Sequence, residues 1–167
     1  DGCVPPDRLP AYVHGVRAAL AGHGIRGVIF GHAGDANVHV NPLVDVRRSD
    51  WRHRVQSVLD EVAALTASLG GTLAGEHGDG RLRAPLLERV WPAATVAAFA
   101  AVKQCFDPDG ILNPGVKVPL PGQAALEQIR YDPALPPLPE PARAALAAIE
   151  AERGYARFRL ALLESAG

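Results

Sequence analysis

Apolar residues recur at intervals of three and four positions in three long stretches of the chain. These stretches cover residues 7–22, 50–69 and 93–106. The spacing is typical of amphipathic α-helices, in which such positions line one face. Asp7 is the predicted N-cap of the first helix and Ser49 or Asp50 that of the second, and we expect the third helix to pack beside a sheet.

Short apolar or alternating runs predict four β-strands. They lie at residues 2–4, 25–30, 38–41 and 72–74. Gly34-Asp35 joins the second and third strands, which predicts a β-hairpin. In the third strand the period of two places Asn37, His39 and Asn41 on one face and the intervening valines on the face of the core.

The order of these elements, β-α-β-β-α-β, is typical of the ferredoxin-like arrangement, or split βαβ. The predicted fold class is therefore α+β: a four-stranded antiparallel sheet carries both helices on one face, with additional helices towards the C-terminus. Prolines crowd together beyond residue 119. We expect a domain at residues 1–119, a Pro-rich strap or linker at residues 120–141, and an amphipathic C-terminal helix at residues 142–167.

Composition limits the classes of function. The chain has 167 residues and a formal net charge of -1, and no basic stripe indicates a nucleic-acid partner. No apolar run approaches the ~20 residues that span a bilayer, and the first ten residues lack the basic start and apolar centre of a secretion signal. We expect a cytoplasmic protein, with peripheral association with the inner membrane as the alternative.

Two further features of the composition bear on the context of the chain. Cys3 and Cys105 have neither metal-site nor redox spacing, so we interpret them as small buried hydrophobes in a reducing compartment. The sequence contains no methionine. This absence favours a fragment of a longer protein over a short protein whose initiator was removed.

Potential metal ligands stand near the ends of the predicted strands. His32 follows the second strand and His39 lies in the third, so that the two imidazoles approach each other across the hairpin. Glu76, in a glycine-rich segment after the fourth strand, supplies a carboxylate. Three protein ligands leave coordination positions open, as in catalytic metal sites. Zinc is the first expectation, and manganese, iron or cobalt suit the same ligands.

Neighbouring residues are candidates for supporting roles. His77, beside Glu76, is expected to reach the same cleft as a proton-transfer residue. Asp35 is expected to orient an imidazole N–H or to stabilise the turn. The remaining histidines lie on predicted helices and are interpreted as solvated surface residues: His14, His23 and His53.

Two arginines follow the glycine-rich segment. Arg81 and Arg83 are candidates to bind a substrate carboxylate, because a guanidinium group presents a bidentate fork to such a group. The alternative is that they form ion pairs with Glu88 or Asp79. The Asn-Pro-Gly sequence further along the chain indicates, by itself, only a turn.

Three segments carry a resemblance to a known family. The sequences GHAGDANVHVN, GGTLAGEHGDGRLR and FDPDGILNPGVKVP, in this order and at these distances, resemble the C-terminal domain of the FAD-linked oxidases. That family includes D-lactate, glycolate and D-2-hydroxyglutarate dehydrogenases. The resemblance covers residues 1–119, and the ferredoxin-like cap of the family agrees with the predicted order of elements.

The resemblance implies a role for each candidate residue. It places divalent metal ligands at His32, His39 and Glu76, substrate contacts at Asn41 and His77, and a flavin-side contact at Asn113. The implied chemistry is the oxidation of a 2-hydroxy acid: the metal chelates its hydroxyl and carboxylate, His77 accepts the hydroxyl proton, and hydride leaves for the flavin. In this chemistry, Arg81 or Arg83 binds a second charged group of the substrate.

The chain also departs from the family pattern. The family usually has glycine where Ala36 stands, so a turn that needs a positive φ is expected to be altered. The FAD-binding domain of the same protein is absent from this chain, and we expect the isolated chain neither to hold FAD nor to turn over substrate. A downstream iron–sulfur module, as in some large relatives, is a further expected partner, with the strap and last helix as its connector.

Two other classes of function stay open from the residues alone. A self-contained zinc metallohydrolase would use His32, His39 and Glu76 around an activated water, although the HExxH helix is missing. A non-catalytic ferredoxin-like interaction domain would use its histidines structurally, although the clustering of polar strand ends argues against it.

Overall fold

A computed structural model describes residues 1–129 and 136–152 of the chain, which divides into two units, Asp1–Tyr131 and Asp132–Gly167. The first unit is α+β, and it contains the strands β1 (Gly2–Cys3), β2 (Arg26–His32) and β3 (Asn37–Leu43) and the helices α1 (Leu9–Gly22), α2 (Trp51–Ser68), α3 (Gly80–Arg83), α4 (Leu87–Val90) and α5 (Ala93–Phe106). The second unit contains the helix α6 (Glu140–Glu152).

The sheet is antiparallel, and its strand order is β1-β3-β2. The predicted hairpin of β2 and β3 is confirmed, with His32 opposite Asn37. The connecting 3₁₀ turn, Ala33–Asp35, leads into Ala36, whose φ of 50° is left-handed. The turn therefore keeps its positive φ, contrary to the alteration expected from the missing glycine, and alanine bears the steric cost of that conformation.

The predicted fourth strand is reduced to a single antiparallel bridge between Cys3 and Thr72, closed by N···O distances of 3.0 and 2.8 Å. A regular ladder would next bond Asp1 to Ala74, but Gly75 donates to the Asp1 carbonyl oxygen instead, at 3.2 Å. The extra residue interrupts the ladder as a β-bulge does. The sequence therefore predicts a fourth strand that the local backbone does not complete.

The core lies between the sheet and the two long helices. Val38 of β3 is buried together with residues of α1 and α2, and Ile29 and Val40 pack against the same cluster. Its buried members are Val4, Tyr12, Val16, Leu20, Ile25, Val38 and Val58. Because side chains alternate along a strand, this packing turns His39 and its neighbours on that face away from the helices.

Helix starts differ from the predicted capping. A 3₁₀ turn at Pro6–Arg8 precedes α1, so Asp7 is not the N-cap, and its carboxylate pairs with Arg8 at 3.3 Å. Asp50 does occupy the N-cap position of α2, yet its side chain accepts hydrogen bonds from Arg48 rather than from the helix. Nearby arginines therefore compete successfully for both carboxylates.

The third predicted helix is confirmed as α5, but its expected packing beside the sheet is wrong. None of its residues is buried, and Phe106 is 83% exposed. Its Phe99 ring instead meets Trp91, with centroids 6.1 Å apart. Cys105 on the same helix is exposed, which corrects its interpretation as a buried residue.

The first unit continues past the predicted boundary at residue 119. Leu126 is buried, and its carbonyl oxygen accepts a hydrogen bond from Arg52 at 3.1 Å. Residues 130–135 of the predicted strap and residues 153–167 of the predicted last helix lie outside the described residues. Within the parts that are described, no helix combines the length and apolar character that a bilayer-spanning segment requires.

Candidate metal and substrate site

The three side chains predicted as metal ligands lie together. Oε1 of Glu76 is 2.7 Å from Nε2 of His39 and 3.4 Å from Nε2 of His32. One nitrogen of each imidazole and one carboxylate oxygen lie within 4.8 Å of one another. The hairpin register accounts for the histidine pair, because His32 ends β2 opposite Asn37, which stands two residues before His39 on the same face of β3.

His39 is held by rings on three sides. The His77 ring stacks on it with centroids 4.7 Å apart and an interplanar angle of 13°, and the His32 ring meets it edge-on at 5.7 Å. The Phe30 ring, from the opposite residue of β2, lies 5.0 Å away. The side chain of His39 is 8% exposed, whereas those of His32 and Glu76 are 60% and 44% exposed. The cluster thus combines one fixed, buried nitrogen with two ligands that border solvent.

His77 reaches this cluster because the backbone around it is irregular. Gly78 and Gly80 have φ values of 70° and 59°, which side-chain-bearing residues rarely adopt. Nε2 of His77 lies 3.7 Å from Oε1 of Glu76. Asn41, the next residue on the His39 face of β3, is exposed opposite Val28. The open face of the sheet therefore carries both residues predicted to contact substrate.

Asp1 is a residue of this site that sequence reasoning missed. Its carboxylate accepts hydrogen bonds from the backbone N–H groups of Glu76 and His77, at 3.2 and 2.8 Å, and from Nδ2 of Asn37 at 3.0 Å. Only 1% of its side chain is exposed. An aspartate far from the motifs gives no local signal, and only its pairing beside residues 74–77 would have indicated the role.

Asp35, by contrast, does not take the orienting role predicted for it. It is exposed, and within residues 1–129 it forms no ion pair with His32 or His39. Its carbonyl oxygen accepts a contact from the thiol of Cys3 at 3.3 Å. The 3₁₀ turn that contains Asp35 directs its side chain to solvent.

The donor set fits a divalent metal ion. Nδ1 of His39 is buried without a hydrogen-bond partner and lies 3.8 Å from Oδ1 of Asp1. Histidines that bind a metal through one nitrogen commonly present the other N–H to a carboxylate, which matches this arrangement when Nε2 faces Glu76. Two imidazoles and a carboxylate suit zinc, manganese and related ions.

The two predicted substrate arginines have different surroundings. Nε of Arg81 donates to the carbonyl oxygen of Pro114 at 3.1 Å, and Nη1 of Arg83 donates to that of Gly78 at 2.9 Å. Arg83 borders a largely apolar cavity of about 400 Å³ on the core side of the sheet. Burial lowers the pKa of the Arg83 guanidinium, and the nearby carboxylate of Asp79 opposes that shift. The structure therefore brings Arg83 to the core rather than to the open face.

Neither arginine forms the predicted ion pair with Glu88 or Asp79. The carboxylate of Asp79 is 6% exposed and pairs instead with Nζ of Lys117 at 2.5 Å. That ammonium group also lies 4.4 Å from the centroid of the Phe99 ring. The ion pair therefore connects Asp79, which follows Glu76 and His77 in the chain, to the end of the Asn-Pro-Gly loop.

Asn113 stands in a loop shaped by Asp107. The Asp107 carboxylate accepts hydrogen bonds from the N–H groups of Ile111 and Leu112 at 3.0 and 2.9 Å, and it pairs with Lys103. The hydrogen bond from Lys103 is the main cause that lowers the pKa of Asp107, and the two backbone N–H groups lower it further. Asn113 itself has a left-handed φ of 49°, a conformation that asparagine tolerates.

The sequence also resembles known proteins. It matches the model of FAD linked oxidases, C-terminal domain, over residues 1–116. It is 38% identical to the glycolate oxidase subunit GlcD of Bacillus subtilis over 115 residues, which are 69% of this chain and 24% of that protein. Identity to the D-2-hydroxyglutarate dehydrogenase of Escherichia coli is 38% over 122 residues, 73% of this chain and 12% of that protein.

A third relative is the D-lactate dehydrogenase of Archaeoglobus fulgidus, which is 36% identical over 115 residues, 69% of this chain and 25% of that protein. The chain thus spans about a quarter or less of the length of these relatives. The match to the family covers well over half of the chain itself. The chain therefore belongs to the family of FAD linked oxidases, C-terminal domain.

Proposed function

We propose that this chain is the metal- and substrate-binding domain of an FAD-dependent oxidoreductase that oxidises a D-2-hydroxy acid to a 2-oxo acid. The observation that carries the proposal is the cluster of His32, His39 and Glu76, with His77 stacked on its buried member. The names of the relatives, which include glycolate, D-lactate and D-2-hydroxyglutarate enzymes, support this class of substrate.

In the proposal, His32, His39 and Glu76 hold a divalent ion, with zinc or manganese expected. Such an ion supplies Lewis-acid stabilisation of an ionised hydroxyl group. Nε2 of His77 faces the cluster, 3.7 Å from Glu76, and accepts the hydroxyl proton of the substrate. Its ring remains accessible for this role, since 58% of the side chain is exposed.

Substrate contacts follow from the open face of the sheet. Asn41 offers an amide beside His39, and Arg81, on α3, retains N–H groups besides the one given to Pro114. Of the two arginines, Arg81 is proposed to bind a charged group of the substrate. Arg83 acts within the fold, because it borders the core cavity.

The flavin would be held mainly by the FAD-binding domain of the same protein, with Asn113 as the contact from this chain. FAD supplies the acceptor for the hydride that leaves the substrate carbon. The domain itself is proposed to have the ferredoxin-like topology. The backbone N–H and carbonyl groups of Cys3 both form hydrogen bonds with Thr72. This pairing supports a position for a fourth strand on the side of β1 away from β3. A downstream iron–sulfur module stays a prediction.

Metal analysis of the purified chain tests the proposal. We expect near-stoichiometric divalent metal in the wild-type chain, little in His39→Ala, and unchanged content in His14→Ala, which removes an exposed histidine of α1. Restoring the FAD-binding domain should then give flavin reduction by a 2-hydroxy acid, and His77→Ala should abolish it. Metal content that does not depend on His39 contradicts the proposal, and zinc-dependent hydrolysis by the flavin-free chain favours a metallohydrolase.

A further inference from the structure

The carboxylate of Asp1 is buried and fully engaged with the candidate site. With 1% of the side chain exposed, it depends on protein donors for the hydrogen bonds that water would otherwise provide. It accepts three, from the backbone of Glu76, the backbone of His77 and the side chain of Asn37. A buried carboxylate with this number of donors is held in one orientation.

The two oxygens of this carboxylate face different parts of the site. Oδ2 accepts from the N–H groups of Glu76 and His77, which places the backbone of the loop that supplies the carboxylate ligand. Oδ1 accepts from Asn37 and lies 3.8 Å from Nδ1 of His39, which belongs to strand β3. One side chain therefore contacts the loop part and the strand part of the cluster together.

The surroundings of His39 make this contact specific. Its Nδ1 is buried and has no hydrogen-bond partner, and Asp1 is the carboxylate that faces it. An imidazole that ligates through Nε2 carries its proton on Nδ1, so a carboxylate on that side favours the ligating tautomer. A neutral side chain at this position, or a truncated one, would not favour the tautomer that carries its proton on Nδ1.

We propose that Asp1 is the positioning residue of the metal site: its carboxylate fixes the backbone of Glu76 and His77 and orients the ring of His39. The inference rests on the proposed function for its consequence, which is tighter metal binding. The positioning of the loop is independent of metal, because the hydrogen bonds from the N–H groups of Glu76 and His77 to Asp1 exist between residues of the chain alone.

Hydrogen exchange in the metal-free chain tests the positioning directly. In Asp1→Ala the amides of Glu76 and His77 should exchange at least about tenfold faster, because each loses its acceptor. The amide of Gly75 should be unaffected, because it donates to the backbone carbonyl oxygen of Asp1, which the substitution keeps. Equal acceleration at all three amides indicates general local unfolding and overturns the proposal, as does no acceleration.

A second variant and a matched control guard against loss of the fold. Asp1→Asn keeps the size of the side chain and one oxygen acceptor, so it should protect Glu76 and His77 better than Asp1→Ala does. Asp35→Asn neutralises an exposed aspartate of the neighbouring turn and should change neither exchange nor metal binding. Circular dichroism of each variant verifies that the chain is folded.

Zinc affinity, measured by competition with a chromophoric chelator, tests the consequence. Loss of an outer carboxylate typically weakens binding by roughly 10- to 100-fold, and we expect Asp1→Ala within that range. In the zinc-loaded wild type, the Nδ1 proton of His39 should give a protected NMR resonance that Asp1→Ala loses. Complete loss of zinc with unchanged exchange at residues 76 and 77 would make Asp1 a ligand and overturn the positioning role.

The two proposals fail in different ways. If the wild-type chain binds no zinc or manganese, the proposed metal site is wrong, but the exchange of Glu76, His77 and Gly75 still decides whether Asp1 positions the loop. If the wild type binds zinc and Asp1→Ala binds it equally well with unchanged exchange, the metal site stands and the role of Asp1 is wrong.

Discussion

Nε2 of His39 lies 2.7 Å from Oε1 of Glu76, although one residue belongs to the middle of a strand and the other to a distant loop. That distance is within hydrogen-bonding range, so a metal ion that binds between the two groups finds two ligands already adjacent. The His39 ring is fixed by packing, so little side-chain entropy is lost when it becomes a ligand.

Metal should therefore stabilise the folded chain. With zinc at about 100 times its dissociation constant, the free energy of unfolding should rise by about 2.7 kcal/mol, because the ion binds the native state. Thermal unfolding with zinc and with excess chelator measures this difference. His39→Ala should abolish it and His14→Ala should preserve it, whereas melting temperatures that ignore chelator in the wild type would contradict the prediction.

Gly31 is required by the close approach of β2 and β3. A Cβ atom there would lie 2.2 Å from the backbone oxygen of Asn37, which cannot move without breaking the pairing beside His32. Gly31→Ala should lower the free energy of unfolding by about 1–3 kcal/mol or more, as overpacking does, and weaken metal binding. Gly34→Ala, in the same hairpin, has open space around it and should be close to neutral. Urea unfolding distinguishes the two, and equal stabilities would refute the steric argument.

The loop that carries Asn113 should depend on pH through Asp107. Lys103 and two backbone N–H groups lower the pKa of its carboxyl below the ordinary value of about 3.9. The stabilisation is therefore fully present above about pH 5 and is lost as the pH falls through the lowered pKa of Asp107. The amide chemical shifts of Ile111 and Leu112 should report this titration.

The same loop gives a mutational test. At neutral pH, Asp107→Asn should accelerate hydrogen exchange of Ile111 and Leu112 by roughly tenfold, because charge-assisted bonds are replaced by weaker ones. Asp109→Asn changes a carboxylate of the same turn and should leave the exchange rates of both amides unchanged. A loop that responds equally to both substitutions would show that Asp107 does not hold it.

Lys117 should contribute more to stability than a lysine that has no buried partner. Its partner Asp79 is 6% exposed, and Lys117→Met leaves that carboxylate without its cation. Because Lys117 itself is 46% exposed, the loss should be smaller than for a fully buried pair, about 1–3 kcal/mol in free energy of unfolding. The double variant Asp79→Asn, Lys117→Met should recover part of this loss. Additive losses in urea unfolding would show that the two residues are not coupled.

Local periodicity alone predicts several elements of this protein. The alternation around His39 predicted the hairpin and the face on which the histidines lie, and the helix Ala93–Phe106 was predicted at its observed bounds. These features depend on neighbours a few positions apart, and the chain encodes them directly. The grouping of His32, His39 and Glu76 followed from strand ends and from the family resemblance.

Tertiary contacts alone decided the rest. The residue that faces the buried nitrogen of His39 is Asp1 rather than Asp35, and the arginine that enters the core is Arg83 rather than Arg81. The fourth strand is reduced to a single bridge, because Gly75 rather than Ala74 bonds to Asp1. Each outcome depends on which groups from distant segments compete for the same hydrogen bonds in space, and no local pattern of residues records that competition.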